Sequence, residues 1–294
     1  MKQLKNLIEE IENLGENRKE RNMDVKRISS AILGLPMVIV VLLFGNKYII
    51  DIALSIVAII SLHEYFNAFK QYKPIKWVGY LSAIVIAFLH IIPQEELTKL
   101  ISLGIPVIVA ILFIQLIIEN MKISIIDIAI TLFGICYIVL FTAFIPILAG
   151  AMDGKILIWY VLIIAWGTDI FAYLIGKRFG KHKFSKISPN KSIEGCIAGI
   201  AGAVALALLY TYCMRQFVGI YIESYLFITI MSIVLSIVGQ FGDFAASSIK
   251  RYVGIKDFSN LIPGHGGLLD RIDSLIFIAP FAYIILIIIV EGNN

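Results

Sequence analysis

Charge is what this chain has least of. Only 16% of its 294 residues are Asp, Glu, Lys or Arg, and 59% are hydrophobic. Soluble domains carry about 25% charged residues, so an ordinary water-soluble domain is excluded. Cysteine is scarce too. Cys136, Cys196 and Cys213 fall inside apolar segments, lack metal-ligand spacing and form no even framework. They read as small buried hydrophobes. A cleavable signal peptide is not expected: the first 27 residues are charged, and no small-residue cleavage site follows the first apolar run. The net charge of +4 selects no partner by itself, and no nucleic-acid partner is expected.

What the chain has instead is long apolar runs. A stretch of about 18 or more apolar residues marks a membrane span. Nine are expected, over 28–45, 48–68, 77–93, 99–118, 123–150, 155–176, 193–214, 222–248 and 272–290. An open sheet would leave unpaired backbone groups in lipid, so the expected fold is all-α and polytopic. The fifth and eighth runs exceed the roughly 20 residues a span needs, which predicts tilt, a kink or extension beyond the bilayer. Pro146 could break the fifth. In the seventh, Gly195 and Gly199 permit close helix approach.

Lys and Arg then set the orientation. With nine spans, 21 of the 25 fall on one side and only Lys47, Lys99, Lys155 and Arg215 on the other. That places the N-terminus and the two richest connections, 177–192 and 249–271, in the cytoplasm. Residues 1–22 have helical apolar spacing (Leu4, Leu7, Ile8, Ile11, Leu14) and read as an amphipathic extension. The expected organisation is a cytoplasmic segment 1–27, N-terminal spans 28–150, and a C-terminal region 151–294 that carries the chemistry.

That chemistry centres on residues 247–273, a polar stretch between two apolar runs and longer than a turn requires. Asp270 and Asp273 are three apart and share a helical face. Asp243, Ser247 and Lys250 fall at i, i+4 and i+7, again one face. If the connection folds back, Asp243 meets Asp270 and Asp273. Clustered carboxylates beside Lys and Arg suit a hard cation and the phosphates it carries. A second cluster ends the sixth run. Asp169 lies about 12 Å inside from Lys177, and Asp243 about 10 Å inside from Lys250, at 1.5 Å per residue. Intramembrane carboxylates at similar depth read as functional. Ser192 can cap the seventh run with Glu194 in its first turn, and a helix start beside Lys191 suits phosphate. His63, Glu64 and Asp127 could line the same cavity or pair with lysines. Asp51 and His90 read as structural.

Two stretches together resemble the phosphatidate cytidylyltransferases, also called CDP-diacylglycerol synthases. The first runs Ser247, Ile249, Lys250, Arg251, Lys256, Asp257, Ser259, Ile262, Pro263, His265, Gly266, Gly267, Leu268, Asp270, Arg271, Ile272, Asp273. The second runs Asp169, Ala172, Tyr173, Gly176, Lys177, Phe179, Gly180, Lys181, Ser188, Pro189, Lys191, Glu194, Gly195. Ser192 replaces the family's usual Thr, and Ile193 stands where Trp is common, so no base-stacking role is carried over.

The resemblance implies transfer of a cytidylyl group from CTP to phosphatidate, giving CDP-diacylglycerol and pyrophosphate at the cytoplasmic face of the cell inner (plasma) membrane. It implies Mg²⁺ on Asp243 and Asp270 with Asp273 close by, and leaves room for a second cation. Lys250, Arg251, Lys256 and Lys191 become candidates for holding phosphates, and Gly266 and Gly267 for close backbone approach to them. His265 becomes a hydrogen-bond donor or loop-positioning residue. Asp169, Tyr173, Ser192, Ser247 and Arg271 complete the expected substrate site. Membrane lipids are the expected surroundings, and a homodimer is compatible.

Two other readings compete. A cation-coupled transporter could use the same carboxylates, but it would want polar residues on both sides, and here they crowd to one. A CDP-alcohol phosphotransferase would carry an Asp-x-x-Asp-Gly-x-x-Ala-Arg pattern, which is absent.

Overall fold

The computed structural model describes residues 36, 38–120, 122–151, 154–185, 188–189, 191–218, 224–264 and 266–292. The segment 1–27 and His265 lie outside the described residues. What is described is helical. After a helical stretch over 38–44 come α1 (Lys47–Ala68), α2 (Lys76–Phe88), α3 (Gln94–Ile118) and α4 (Ile125–Gly150). Then follow α5 (Gly154–Phe179), α6 (Ile193–Val218), α7 (Tyr225–Tyr252) and α8 (Leu269–Gly292). No strand occurs among the described residues; the pairings present are two isolated bridges, Lys183 with Ser192 and Ile262 with Gly266.

Among the described residues, five helices are long and apolar enough to cross a membrane: α1, α4, α5, α6 and α7. The expected third and fourth spans are shorter as apolar helices, Lys76–Phe88 and Ser102–Ile118. α2 tightens into a 3-10 turn over Val85–Phe88. Pro146 does not end α4. The helix widens to π geometry over Ile135–Leu140 and then runs through the proline to Gly150.

One apolar core joins the helices, with Leu62 and Phe66 of α1, Leu112 of α3, Ile138 of α4, Ile164 of α5, Leu235 of α7 and Ile276 of α8 buried in it. The outer faces are apolar as well. Ile117 and Leu226 are each 71% exposed, Ile118 67% and Phe241 60%. Apolar side chains on this scale face lipid, not water. Lipid contact leaves little hydrophobic drive between helices, so close packing and hydrogen bonds must hold them. The α5–α6 seam shows both. A Cβ on Gly195 would lie 2.8 Å from the Ala172 carbonyl oxygen, and one on Gly199 2.8 Å from that of Thr168. Tyr160 of α5 and Thr211 of α6 share a hydroxyl hydrogen bond of 2.6 Å, and Thr168 shares one of 2.7 Å with Ser236 of α7.

Packing order positions the site. α5 packs on α6, α6 on α7 and α7 on α8, and α8 also touches α1 and α4. The C-terminal ends of α5 and α7 therefore meet the N-terminal ends of α6 and α8, where the two polar stretches lie.

Candidate active site

A cavity of about 480 Å³ opens where these four helix ends meet. Five aspartates line it: Asp169 from α5, Asp243 from α7, Asp257 from the α7–α8 loop, and Asp270 and Asp273 from α8. Three cations face them: Lys191, Lys250 and Arg271. The fold-back expected from the sequence is present, since Asp243, Asp270 and Asp273 border one space. Asp169 and Asp243, predicted at similar depth, border it too, as do Tyr173 and Ser192.

α7 contributes a polar stripe. Ser232, Ser236, Gln240, Asp243, Ser247 and Lys250 recur at intervals of three and four, one helical face. Five of the six are buried. Lys250 donates to Asp270 Oδ1 at 2.6 Å, with side chains 10% and 2% exposed. Asp270 Oδ2 accepts from the Phe258 N–H at 2.9 Å and the Gly267 N–H at 3.0 Å. Both oxygens of Asp270 are thus engaged, binding the loop to α7 through one carboxylate. Asp273 accepts from the Ser274 N–H at 2.8 Å, and the Ser274 hydroxyl lies 3.5 Å from Asp169.

The α5–α6 connection supplies the opposite wall. Ser192 caps α6, accepting from the Gly195 N–H at 3.1 Å. Glu194 accepts from the backbone N–H groups of Lys181 and His182 and pairs with the His182 ring at 2.6 Å. The connection is thereby folded back, and Lys191 meets Asp243 as an ion pair. The Lys191 ammonium also lies 4.8 Å from the Phe244 ring centre, which stacks on Phe184 at 4.6 Å. The N-terminus of α6, with Ser192 and Gly195 in the lining, lies at the cavity, an arrangement that favours anions.

Several expected site residues stand away from the lining. Arg251 donates to the Ile255 carbonyl at 3.0 Å, Lys256 is exposed, and Ser247 is buried on α7. Gly266 and Gly267 do not border the cavity, and the Gly267 N–H is already given to Asp270. Gly266 serves the loop's shape: its φ of +83° is a conformation that side-chain-bearing residues avoid. His265 lies outside the described residues.

Other residues were not singled out by the sequence. Gln240 and Ser274 line the cavity. Gln240 sits on the α7 stripe between Ser236 and Asp243, so helical spacing carried the signal. Ser274 follows the last aspartate and carried none. Asp127 neither lines the cavity nor pairs with a lysine side chain: it forms a capping box with Ser124 and accepts from the Lys73 N–H at 2.7 Å. Glu64 instead reaches the α7–α8 loop.

All five carboxylates offer hard oxygen donors, the kind a hard divalent cation takes. Among the described residues no three His, Cys, Asp or Glu side chains already stand together as a metal site. Asp243 and Asp270 are paired with lysines.

Residues 25–289 match the family model described as the cytidylyltransferase family. The chain is 34% identical over 265 residues to the phosphatidate cytidylyltransferase of Staphylococcus haemolyticus, covering 89% of this chain and 98% of the relative. It is 34% identical over 271 residues to that of Staphylococcus aureus, with the same coverage. The Staphylococcus epidermidis protein of that name is 32% identical over 265 residues, again covering 89% and 98%.

Proposed function

The chain belongs to the cytidylyltransferase family, and on that premise we propose that it is a phosphatidate cytidylyltransferase: CTP and phosphatidate give CDP-diacylglycerol and pyrophosphate. The observation that carries this reading is the cavity of five aspartates and three cations among helices whose outer faces are apolar. A nucleotide triphosphate and a lipid phosphate are both polyanions, and they must be neutralised and aligned before they react.

In the reaction, an oxygen of the lipid phosphate attacks the α-phosphorus of CTP. A new P–O bond forms, the bond to the β-phosphate oxygen breaks, and pyrophosphate leaves with the electron pair. The attacking group is already an oxyanion near neutral pH, so no strong base is demanded. Catalysis of this kind is positioning and charge stabilisation. Lys191 and Lys250, now held by Asp243 and Asp270, are the cations placed to turn to phosphate oxygens. Arg271 adds a third. Ser192 and the α6 N-terminus offer a phosphate cradle, and Asp169 and Tyr173 of α5 border the same space.

Mg²⁺ is the proposed cofactor, with room for a second cation. Asp243, Asp270 and Asp273 would hold it, and when bound it supplies charge neutralisation for the nucleotide phosphates. The oxygen-only donor set supports this. Nine spans with the N-terminus in the cytoplasm, and a site facing the cytoplasm from the inner membrane, are the reading that the Lys and Arg distribution supports. A homodimer is compatible with the apolar outer faces.

The test is transfer of labelled CMP from CTP to phosphatidate by purified protein in detergent, with and without Mg²⁺. Labelled CDP-diacylglycerol formed only with Mg²⁺, and lost in Asp270→Asn, is the expected result. No product from folded protein across several divalent ions overturns the proposal.

A further inference from the structure

Glu64 lies near the end of α1, far in sequence from the cavity, and is 4% exposed. Its Oε1 accepts from the Ser259 hydroxyl at 2.5 Å and the Leu268 N–H at 2.9 Å, and its Oε2 from the Leu269 N–H at 2.8 Å. The last two are N–H groups at the start of α8, which have no backbone acceptor within the helix. A carboxylate there is stabilised by the helix's positive end. Glu64 therefore caps α8 from 205 residues away.

The next residue is Asp270. Its Oδ2 binds the Gly267 N–H, so Glu64 and Asp270 hold the same short stretch, 267–270. The fit is close: a Cβ on Gly267 would lie 2.7 Å from Glu64 Oε2. Asp270 in turn receives Lys250. A chain of direct contacts thus runs from α1 through the α8 start to the acid–lysine pair in the cavity.

We propose that Glu64 is a positioning residue for the transfer reaction: it fixes the first turn of α8, and with it the direction of the Asp270 carboxylate. This rests on reading the cavity as the transferase site. It also makes the site a joint product of α1 and the four C-terminal helices. Because Glu64 and Asp270 already take the N–H groups of residues 267–269, substrate phosphates are left to Lys191, Lys250, Arg271 and the α6 N-terminus.

The experiment uses the full chain in detergent, with kinetics against CTP and against Mg²⁺ and a thermal transition for each variant. Glu64→Gln keeps the shape but turns an amide NH₂ toward a backbone N–H. We expect kcat to fall by about tenfold or more, as for partners that orient a ligating group. The half-saturating Mg²⁺ concentration should rise, while KM for CTP stays within roughly threefold. Gly267→Ala, which pushes on the same carboxylate, should do likewise. Glu64→Gln/Gly267→Ala should lose no more than the worse single variant, since both break one contact. Wild-type kcat and Mg²⁺ dependence in Glu64→Gln overturn the proposal, as do losses that multiply in the double variant. If Glu64→Gln does not fold, Gly267→Ala with wild-type kinetics overturns it alone. Wild-type protein that makes no product defeats the transferase reading instead.

Discussion

Lys250 and Asp270 form a buried ion pair, while Lys191 and Asp243, with side chains 23% and 25% exposed, form one partly open to solvent. The difference sets what each substitution does. Removing one partner of a buried pair strands the other charge and costs about 3–5 kcal/mol, whereas replacing both by apolar groups can be neutral. Asp270→Asn should therefore lower the thermal transition and abolish product formation. Lys250→Met/Asp270→Asn removes the stranded ammonium and keeps an acceptor oxygen for the Phe258 and Gly267 N–H groups; it should recover part of the stability and none of the activity, separating scaffold from chemistry. Lys191→Met should barely change stability, because partly exposed pairs contribute about 0–1 kcal/mol. It should raise KM for CTP by roughly tenfold, the worth of one charge-assisted hydrogen bond. Steady-state kinetics beside thermal scans of the same preparations check all three.

At the scale of the element, the α5–α6 seam decides where two walls of the cavity stand. Asp169 and Tyr173 ride on α5, Ser192 and Gly195 on α6, and the helices touch through glycine. Gly199→Leu would force a side chain into the Thr168 carbonyl and the Ala172 methyl. Overpacking of this kind costs about 1–3 kcal/mol. Here it should also reduce transfer activity, because the helix ends shift together. Gly104 of α3 is the contrast: a Cβ there meets nothing within 4 Å. Gly104→Ala should keep full activity and gain up to about 1 kcal/mol from helix propensity. Thermal transitions of both variants, with activity per folded molecule, test the assignment.

At the scale of the whole molecule, the polar groups of the site gather at one end. Glu64, Asp169, Lys250 and Asp270 come from four helices and Lys191 from the α5–α6 connection, and all lie at the end where α5 and α7 finish and α6 and α8 begin. Lys155 starts α5 at the other end. In a background lacking Cys136, Cys196 and Cys213, a membrane-impermeant maleimide should label Lys256→Cys only in inverted vesicles. Lys155→Cys should be labelled only in right-side-out ones. Labelling of both from one side would remove the proposed orientation.

The sequence by itself determined the helical class, the membrane setting, the glycine seam and most of the cavity. These depend on local composition and helical period, which a linear chain displays. Asp169, Lys191, Asp243, Lys250, Asp270 and Asp273 were legible because polar residues in an apolar chain are conspicuous and their spacing puts them on faces. The tertiary structure decided what a linear chain cannot show. It paired Lys191 with Asp243 and Lys250 with Asp270, and it moved Gly266 and Gly267 from phosphate contact to loop geometry. It made Asp127 a cap and carried helix α4 through Pro146. It also brought Glu64 to the start of α8, a contact spanning two-thirds of the chain. Such contacts rest on which helix ends meet in space, and no local period records that.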